Sequence, residues 1–158
     1  MKVMIVDDAA FMRMMIRKHL EGAGHEVVAE AFEYHSAMDE FKKLLKTGTL
    51  PDAITMDITL PGRRSGIDIT REIHRLAPEV RIVMTSAMGT QHMVIDAMKA
   101  GATDFVVKPF KPQELVARIR ARLRRGDEPE PERLDIGDLQ IDVAGHSVKR
   151  DGRALSLT

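Results

Sequence analysis

Lys2-Val3-Met4-Ile5-Val6-Asp7-Asp8 opens the chain with a short apolar run that stops at two acids. A run of this length, rich in β-branched side chains and not alternating, reads as a strand buried on both faces, with the carboxylates at its C-terminal end. Met12, Met15, Ile16, His19 and Leu20 then recur at helical spacing, and Gly22 and Gly24 supply stop signals. The next stretches repeat the alternation. His25 to Ala31 reads as a strand, and Ala37, Phe41, Leu44 and Leu45 mark one face of a second helix. Ala53 to Met56 is another apolar run ending in an acid, Asp57. A turn-rich Pro61, Gly62, Ser65, Gly66 segment follows, then a helix carrying Ile69, Ile73 and Leu76.

The second half continues in the same way. Arg81 to Ser86 reads as a fourth strand ending in hydroxyls, and Val94, Ala97 and Met98 lie on one face of a fourth helix that Gly101 closes. Thr103 to Val107 is the fifth strand. Past Lys108 and Pro109, a last helix starts near Pro112, where proline fits the first turn, and runs to Arg125. Strict alternation needs crossover connections, and these are right-handed. The predicted fold is therefore α/β: a flavodoxin-like, doubly wound, five-stranded parallel sheet with helices on both faces. Ligands of such sheets bind beyond the carboxyl ends of the strands. Asp7, Asp8, Asp57, Ser86 and Lys108 all fall there.

Composition narrows the function. The 158 residues hold 24 Lys plus Arg against 24 Asp plus Glu, so no global field marks the molecule for nucleic acid or an anionic membrane. The absence of cysteine excludes disulfides, thiolate catalysis and thiolate metal sites, and fits a reducing cytosol. Met1 to Val6 is too short for a signal peptide or a membrane span, so a cytoplasmic protein without membrane contact is expected. The six histidines show no metal-ligand spacing, and Met12, Met14 and Met15 read as adaptable packing. The arginines from Arg118 to Arg125 read as cations favoured near a helix C-terminus.

From Gly126 to Arg133 the composition turns to Gly, Pro and charge, which marks a solvated linker after a first domain of residues 1–125. Leu134 to Thr158 resumes with alternating Leu134, Ile136, Leu139, Ile141 and Val143, then Val148, an Asp151-Gly152 turn, Leu155 and Leu157. Two or three antiparallel strands are expected. So small a sheet rarely stands alone, and a larger, truncated domain is the favoured expectation.

Three carboxylates at strand ends repel one another and need a cation between them. Mg²⁺, taking about six hard oxygens, suits carboxylates, a backbone carbonyl, water and a phosphoryl oxygen. Asp8 and Asp57 are the expected direct ligands and Asp7 acts through water, with Thr59 the fourth position assigned to the metal. Asp57 can attack phosphorus while the metal and Lys108 neutralise the equatorial oxygens, giving an aspartyl phosphate. Ser86 can then bond one phosphoryl oxygen and draw its loop inward.

The Val6-Asp7-Asp8 run, Asp57 with Pro61 beyond it, Thr85-Ser86-Ala87 and Lys108-Pro109-Phe110 together resemble the receiver family of two-component response regulators, over Met1 to about Arg125. The resemblance implies that Asp57 is the phosphoacceptor for a sensor histidine kinase and that Asp7 and Asp8 are the acid pair. It further implies that Ser86 and Lys108 sense the phosphoryl group, that Phe105 is an aromatic switch, and that the Lys108–Pro109 bond is cis. Phe11 to Met15 and Ser86 to Ile95 resemble chemotaxis-type regulators. Phe110 to Arg125 and the 134–158 segment resemble the transcription-factor class, whose winged-helix output domain would begin at Leu134. That class implies transcriptional control, DNA binding only through a domain absent here, and a homodimer through the fourth helix, fifth strand and fifth helix. Asp104, Arg118 and Glu114 fall on that surface.

Two other functions use parts of the same pattern. A small phosphatase turning over an aspartyl phosphate needs a general acid, usually an aspartate two residues past the nucleophile, and Thr59 occupies that place. A nucleotide or flavin module needs a glycine-rich phosphate cradle after the first strand, and none is present.

Overall fold

The computed structural model describes residues 1–123, 133–136, 139–142, 147–150 and 153–155. It divides into two compact units, residues 1–123 and 124–158. The linker expected over 126–133 lies outside the described residues apart from Arg133.

In the first unit, strands β1 (Lys2–Val6), β2 (Glu26–Ala31), β3 (Ala53–Asp57), β4 (Arg81–Ser86) and β5 (Asp104–Val107) alternate with helices α1 (Ala10–Gly22), α2 (Tyr34–Lys46), α3 (Gly66–Leu76), α4 (Gln91–Lys99) and α5 (Pro112–Leu123). The strands form one parallel sheet in the order β2-β1-β3-β4-β5. This is the doubly wound, flavodoxin-like arrangement expected from the alternation. Chain order reverses at β1, so β1 and β3 are interior strands, and every residue of β3 is buried.

Alternate side chains face opposite layers, as the pleat requires. Val3, Ile5, Ala53, Val83 and Val106 pack with Ile16 and Leu20 of α1 and with Leu115, Val116 and Ile119 of α5. The intervening Met4, Ile54, Met56, Ile82, Met84 and Phe105 are fully buried on the other face, as are Phe41 of α2 and Ile69 and Ile73 of α3. Leu45 and Leu76, read as members of the apolar helix faces, are exposed instead. Both sit in the last turn of their helices.

Local signals fix the helix starts. Glu33 accepts the Ser36 and His35 amides at 2.7 and 3.1 Å ahead of α2, the Ser65 amide donates to Asp68 at 2.8 Å ahead of α3, and Thr90 Oγ1 accepts the Met93 amide at 3.4 Å ahead of α4. Helix α1 differs, since Ala9 occupies its cap position and offers no side-chain acceptor.

Among the described residues of the second unit are four strands, β6 (Arg133–Ile136), β7 (Leu139–Asp142), β8 (Ser147–Arg150) and β9 (Arg153–Leu155), in one antiparallel sheet. The expected two or three strands therefore become four. The alternating run read from Leu134 onward holds two strands, paired Leu134 to Ile141 and Ile136 to Leu139.

The interior of the first unit holds two side-chain polar atoms without a hydrogen-bond partner among the described residues, His25 Nε2 and the Thr55 hydroxyl. Thr55, in the middle of β3, is buried, and its hydroxyl has no hydrogen-bond partner among the described residues. An unpaired buried hydroxyl is destabilising, whereas valine has the same shape without the polar atom. Thr55→Val is expected to raise the unfolding free energy by about 1 kcal/mol, read as a higher urea midpoint at unchanged slope.

Candidate functional site

The parallel sheet delivers its chemistry to one edge. Asp7 follows β1 directly, Asp57 is the last residue of β3, Ser86 the last of β4, and Lys108 follows β5. In register, Asp57 lies beside Thr85 and Ser86 beside Val107. Side-chain oxygens of Asp7, Asp8 and Asp57 lie within 4.8 Å of one another. Asp7 and Asp57 are buried and Asp8 is exposed.

Lys108 joins the two buried acids. Its Nζ donates to Asp7 Oδ2 at 2.9 Å and to Asp57 Oδ2 at 3.0 Å. The remaining oxygens accept backbone amides, Asp7 Oδ1 that of Ala9 at 2.9 Å and Asp57 Oδ1 that of Thr59 at 3.2 Å. The Lys108–Pro109 peptide is cis, as the family resemblance implies.

The charges do not balance, because three carboxylates face one ammonium. Burial pushes the Asp57 carboxyl above its ordinary value; the Lys108 hydrogen bond and charge pull it down, repulsion from Asp7 raises it, and the Thr59 amide lowers it, leaving a net rise. Burial alone would lower the Lys108 ammonium, but its bonds to Asp7 and Asp57 outweigh that and hold it above its ordinary value. A cluster of hard oxygens with excess negative charge fits a small divalent cation, and Asp7, Asp8 and Asp57 are the side chains that would hold it.

The other expected residues are more dispersed. Thr59 is exposed, and its contribution to the site is the amide on Asp57. Ser86 is fully buried, its Oγ accepts the Met88 amide at 3.1 Å, and its carbonyl accepts the Lys108 amide at 2.7 Å. Phe105 is fully enclosed, in register with Met84. Asp104 is buried away from the acid cluster and bonded to Arg118 at 3.2 and 3.3 Å and to Arg122 at 3.3 Å, all within one chain. Glu114 joins the same patch through Arg118 at 3.4 Å.

Two contributors escaped the sequence reading. Gly66, the first residue of α3, passes so close under the Asp57 carbonyl that a Cβ there would overlap the backbone of Asp57. Its signal, a glycine just after a capping serine, is shared by many ordinary turns. Arg13 donates from Nη1 to the carbonyls of Asp7 at 2.7 Å and Asp8 at 3.3 Å. A cation so near a helix N-terminus opposes the helix dipole, and that conflict was the available hint.

The response regulator receiver domain family model matches residues 3–120. The chemotaxis protein CheY of Thermotoga maritima is 50% identical over 118 residues, covering 75% of this chain and 93% of that protein. The DNA-binding response regulator MtrA of Mycobacterium tuberculosis is 39% identical, covering 99% of this chain and 65% of MtrA. Among solved structures, the Thermotoga maritima OmpR/PhoB homologue DrrB superposes with a TM-score of 0.69 at 27% identity, covering 99% of this chain and 66% of DrrB. A CheX–CheY–BeF₃–Mg²⁺ complex from Borrelia burgdorferi gives 0.69 at 26% identity, over 78% of this chain and 90% of the matched one. The chain thus spans about two thirds of the DNA-binding relatives it matches.

The raised Asp57 carboxyl sets the sign of a stability effect. A folded state that holds this proton more tightly than the unfolded chain is favoured at low pH, and loses that advantage as pH rises from the ordinary carboxylate value through the raised one. In metal-free buffer at neutral pH, Asp57→Asn is therefore expected to raise the thermal midpoint above wild type and to flatten its acid-side pH dependence, with Lys108 keeping Asp7 as partner. Added Mg²⁺ at 100 times its Kd should stabilise the wild type by about 2.7 kcal/mol and the variant far less. Gly66→Ala should lower both the midpoint and the response to Mg²⁺, measured in the same melts.

Proposed function

The chain belongs to the response-regulator receiver family of two-component systems, and from that premise we propose that Asp57 accepts a phosphoryl group from the phosphohistidine of a sensor histidine kinase. The observation that carries this is Lys108 bridging two buried carboxylates, with a third carboxylate in the same cluster. Receiver domains bind Mg²⁺ in general; here the ion, when bound by Asp7, Asp8 and Asp57, with Thr59 beside them, would offset the charge of an incoming phosphoryl group.

The chain's own residues supply the rest. An Asp57 oxygen forms the new bond to phosphorus as the bond to the histidine nitrogen breaks, and that nitrogen keeps the bonding pair. Lys108, already donating to Asp57, is placed to share its protons with the phosphoryl oxygens. Ser86, one strand over, becomes the hydroxyl donor to the acyl phosphate by exchanging its present acceptor role toward the Met88 amide for a bond to the phosphoryl group. The loop beyond β4 would follow, and buried Phe105 in the adjacent strand would repack with it.

With Thr59 where a hydrolase places its acid, the chain acts as a stoichiometric switch and not as a turnover enzyme. Residues 1–125 form the receiver, 126–133 the linker, and 134–158 the first sheet of a winged-helix output domain, a division supported by the similarity to MtrA and DrrB across nearly the whole chain. DNA binding and transcriptional control would then belong to the longer protein. A homodimer through α4, β5 and α5 would exchange the Asp104–Arg118 pair, now formed within one chain, for its equivalent between copies. Among the described residues no helix is long and apolar enough to cross a membrane, in keeping with action in the cytoplasm.

Incubation with acetyl phosphate and Mg²⁺ should add one phosphoryl group per chain by intact mass. Asp57→Asn should abolish the gain, and Lys108→Met should reduce its rate by at least about tenfold. Rapid continuous release of phosphate from excess donor would refute the switch in favour of a phosphatase.

A further inference from the structure

The acid pair must turn its side chains toward Asp57; its loop is tied to β2 by the Asp7 amide on the Ala31 carbonyl at 3.1 Å, but the helix that follows has no side-chain cap. Helix α1 starts from Ala9, which has no side chain to accept the free amides of the first turn, and no acid stands in that turn. The Ala9 amide donates to Asp7 Oδ1 at 2.9 Å, and Lys108 Nζ donates to Asp7 Oδ2 at 2.9 Å. These bonds hold Asp7 and do not reach Asp8, the exposed member of the pair.

Arg13 supplies the missing restraint. It lies on α1 itself, with 18% of its side chain exposed, and its Nη1 reaches back to the carbonyl oxygens of both Asp7 and Asp8 at 2.7 and 3.3 Å. Its Nε lies 3.5 Å from Glu30 on β2, which Arg17 also engages at 2.6 Å. The guanidinium therefore ties three elements together, the acidic loop, the helix after it and the neighbouring strand. A planar fork that binds two carbonyls on one edge and a carboxylate on another resists rotation as a single-point cation cannot.

We propose that Arg13 is a positioning residue for the divalent-cation site. By holding the carbonyls of Asp7 and Asp8 on the helix side of the loop, it turns both carboxylates toward Asp57, and Glu30 orients Arg13 in turn. This rests on the reading of Asp7, Asp8 and Asp57 as a Mg²⁺ site. Groups that orient metal ligands without touching the metal typically change affinity by about 10–100-fold when removed. An arginine beside an acid cluster also offsets part of its charge, but its removal would then strengthen cation binding, the opposite sign.

Isothermal titration of Mg²⁺ into the full chain, with no phosphodonor, tests this directly. Arg13→Gln is expected to raise the Kd about tenfold, Arg13→Lys to recover part of the loss, and Glu30→Gln to shift it less and in the same direction. At saturating Mg²⁺, acetyl phosphate should still label Arg13→Gln to the wild-type extent. A merely structural arginine would lower the thermal midpoint equally with and without Mg²⁺ and leave the Kd in place. A Kd within about twofold of wild type, or a tighter one, overturns the assignment, and Glu30→Gln gives the same decision should Arg13→Gln fail to fold. If the wild type takes up no Mg²⁺ while Asp57→Asn and wild type behave alike, the metal site itself is wrong and the inference falls with it.

Discussion

Like charges held close together in a buried place are the constraint on which this structure depends. Two of the three acids are enclosed, and Asp57 shows the consequence in a carboxyl that burial and Asp7 push upward against the pull of Lys108. Such an arrangement persists only where the rest of the fold overrides it. The override comes from a sheet whose central strands are buried along their length and from two helical layers packed on both faces. The apolar core keeps the carboxylates where repulsion would part them.

Parallel strands make the convergence possible. Every strand ends on the same edge, so residues far apart in sequence meet without long loops. Lys108 is 101 positions from Asp7 and 51 from Asp57, yet bonds to both. The ammonium that holds the site together is thus supplied by the residue just past the last strand of the sheet. No fragment lacking β5 contains this charge balance, so the chemistry is linked to completion of the fold. Restraints around the acids follow the same logic: the Thr59 amide and the close passage of Gly66 fix Asp57 from its own loop, while Arg13 anchors the acid pair to the helix beyond.

A second charged cluster sits on β5 and α5, and its balance is the reverse. Buried Asp104 meets two arginines, Arg118 and Arg122, and also accepts the Phe105 amide at 2.8 Å. Here one acid is fully satisfied and holds α5 to the strand that also carries Lys108. The two clusters flank Phe105 along one strand, the first short of positive charge and the second supplied with it. Burial of an ion pair is costly unless both partners are bonded; Asp104, Asp7 and Asp57 all meet that condition, but the acid pocket still carries three carboxylates against one ammonium. That difference separates a structural cluster from one suited to receive a further cation.

The alternation of apolar runs and helical periods, with acids, hydroxyl and lysine at the run ends, was enough to determine the parallel sheet and to pick out Asp7, Asp8, Asp57, Ser86 and Lys108. Local patterning suffices because side-chain period reports burial, and a parallel sheet sends every strand end to one edge. The sequence could not show that Lys108 bridges two acids, that Asp104 is consumed inside the chain, or that Phe105 is closed off, since each depends on strand order and on which layer a side chain enters. Arg13 and Gly66 were hidden for a related reason: one acts on backbone carbonyls and the other by lacking a Cβ, and neither carries a residue pattern. The fourth C-terminal strand is not legible because the alternation from Leu134 to Ile141 reads as if it were one strand, and only pairing partners divide it.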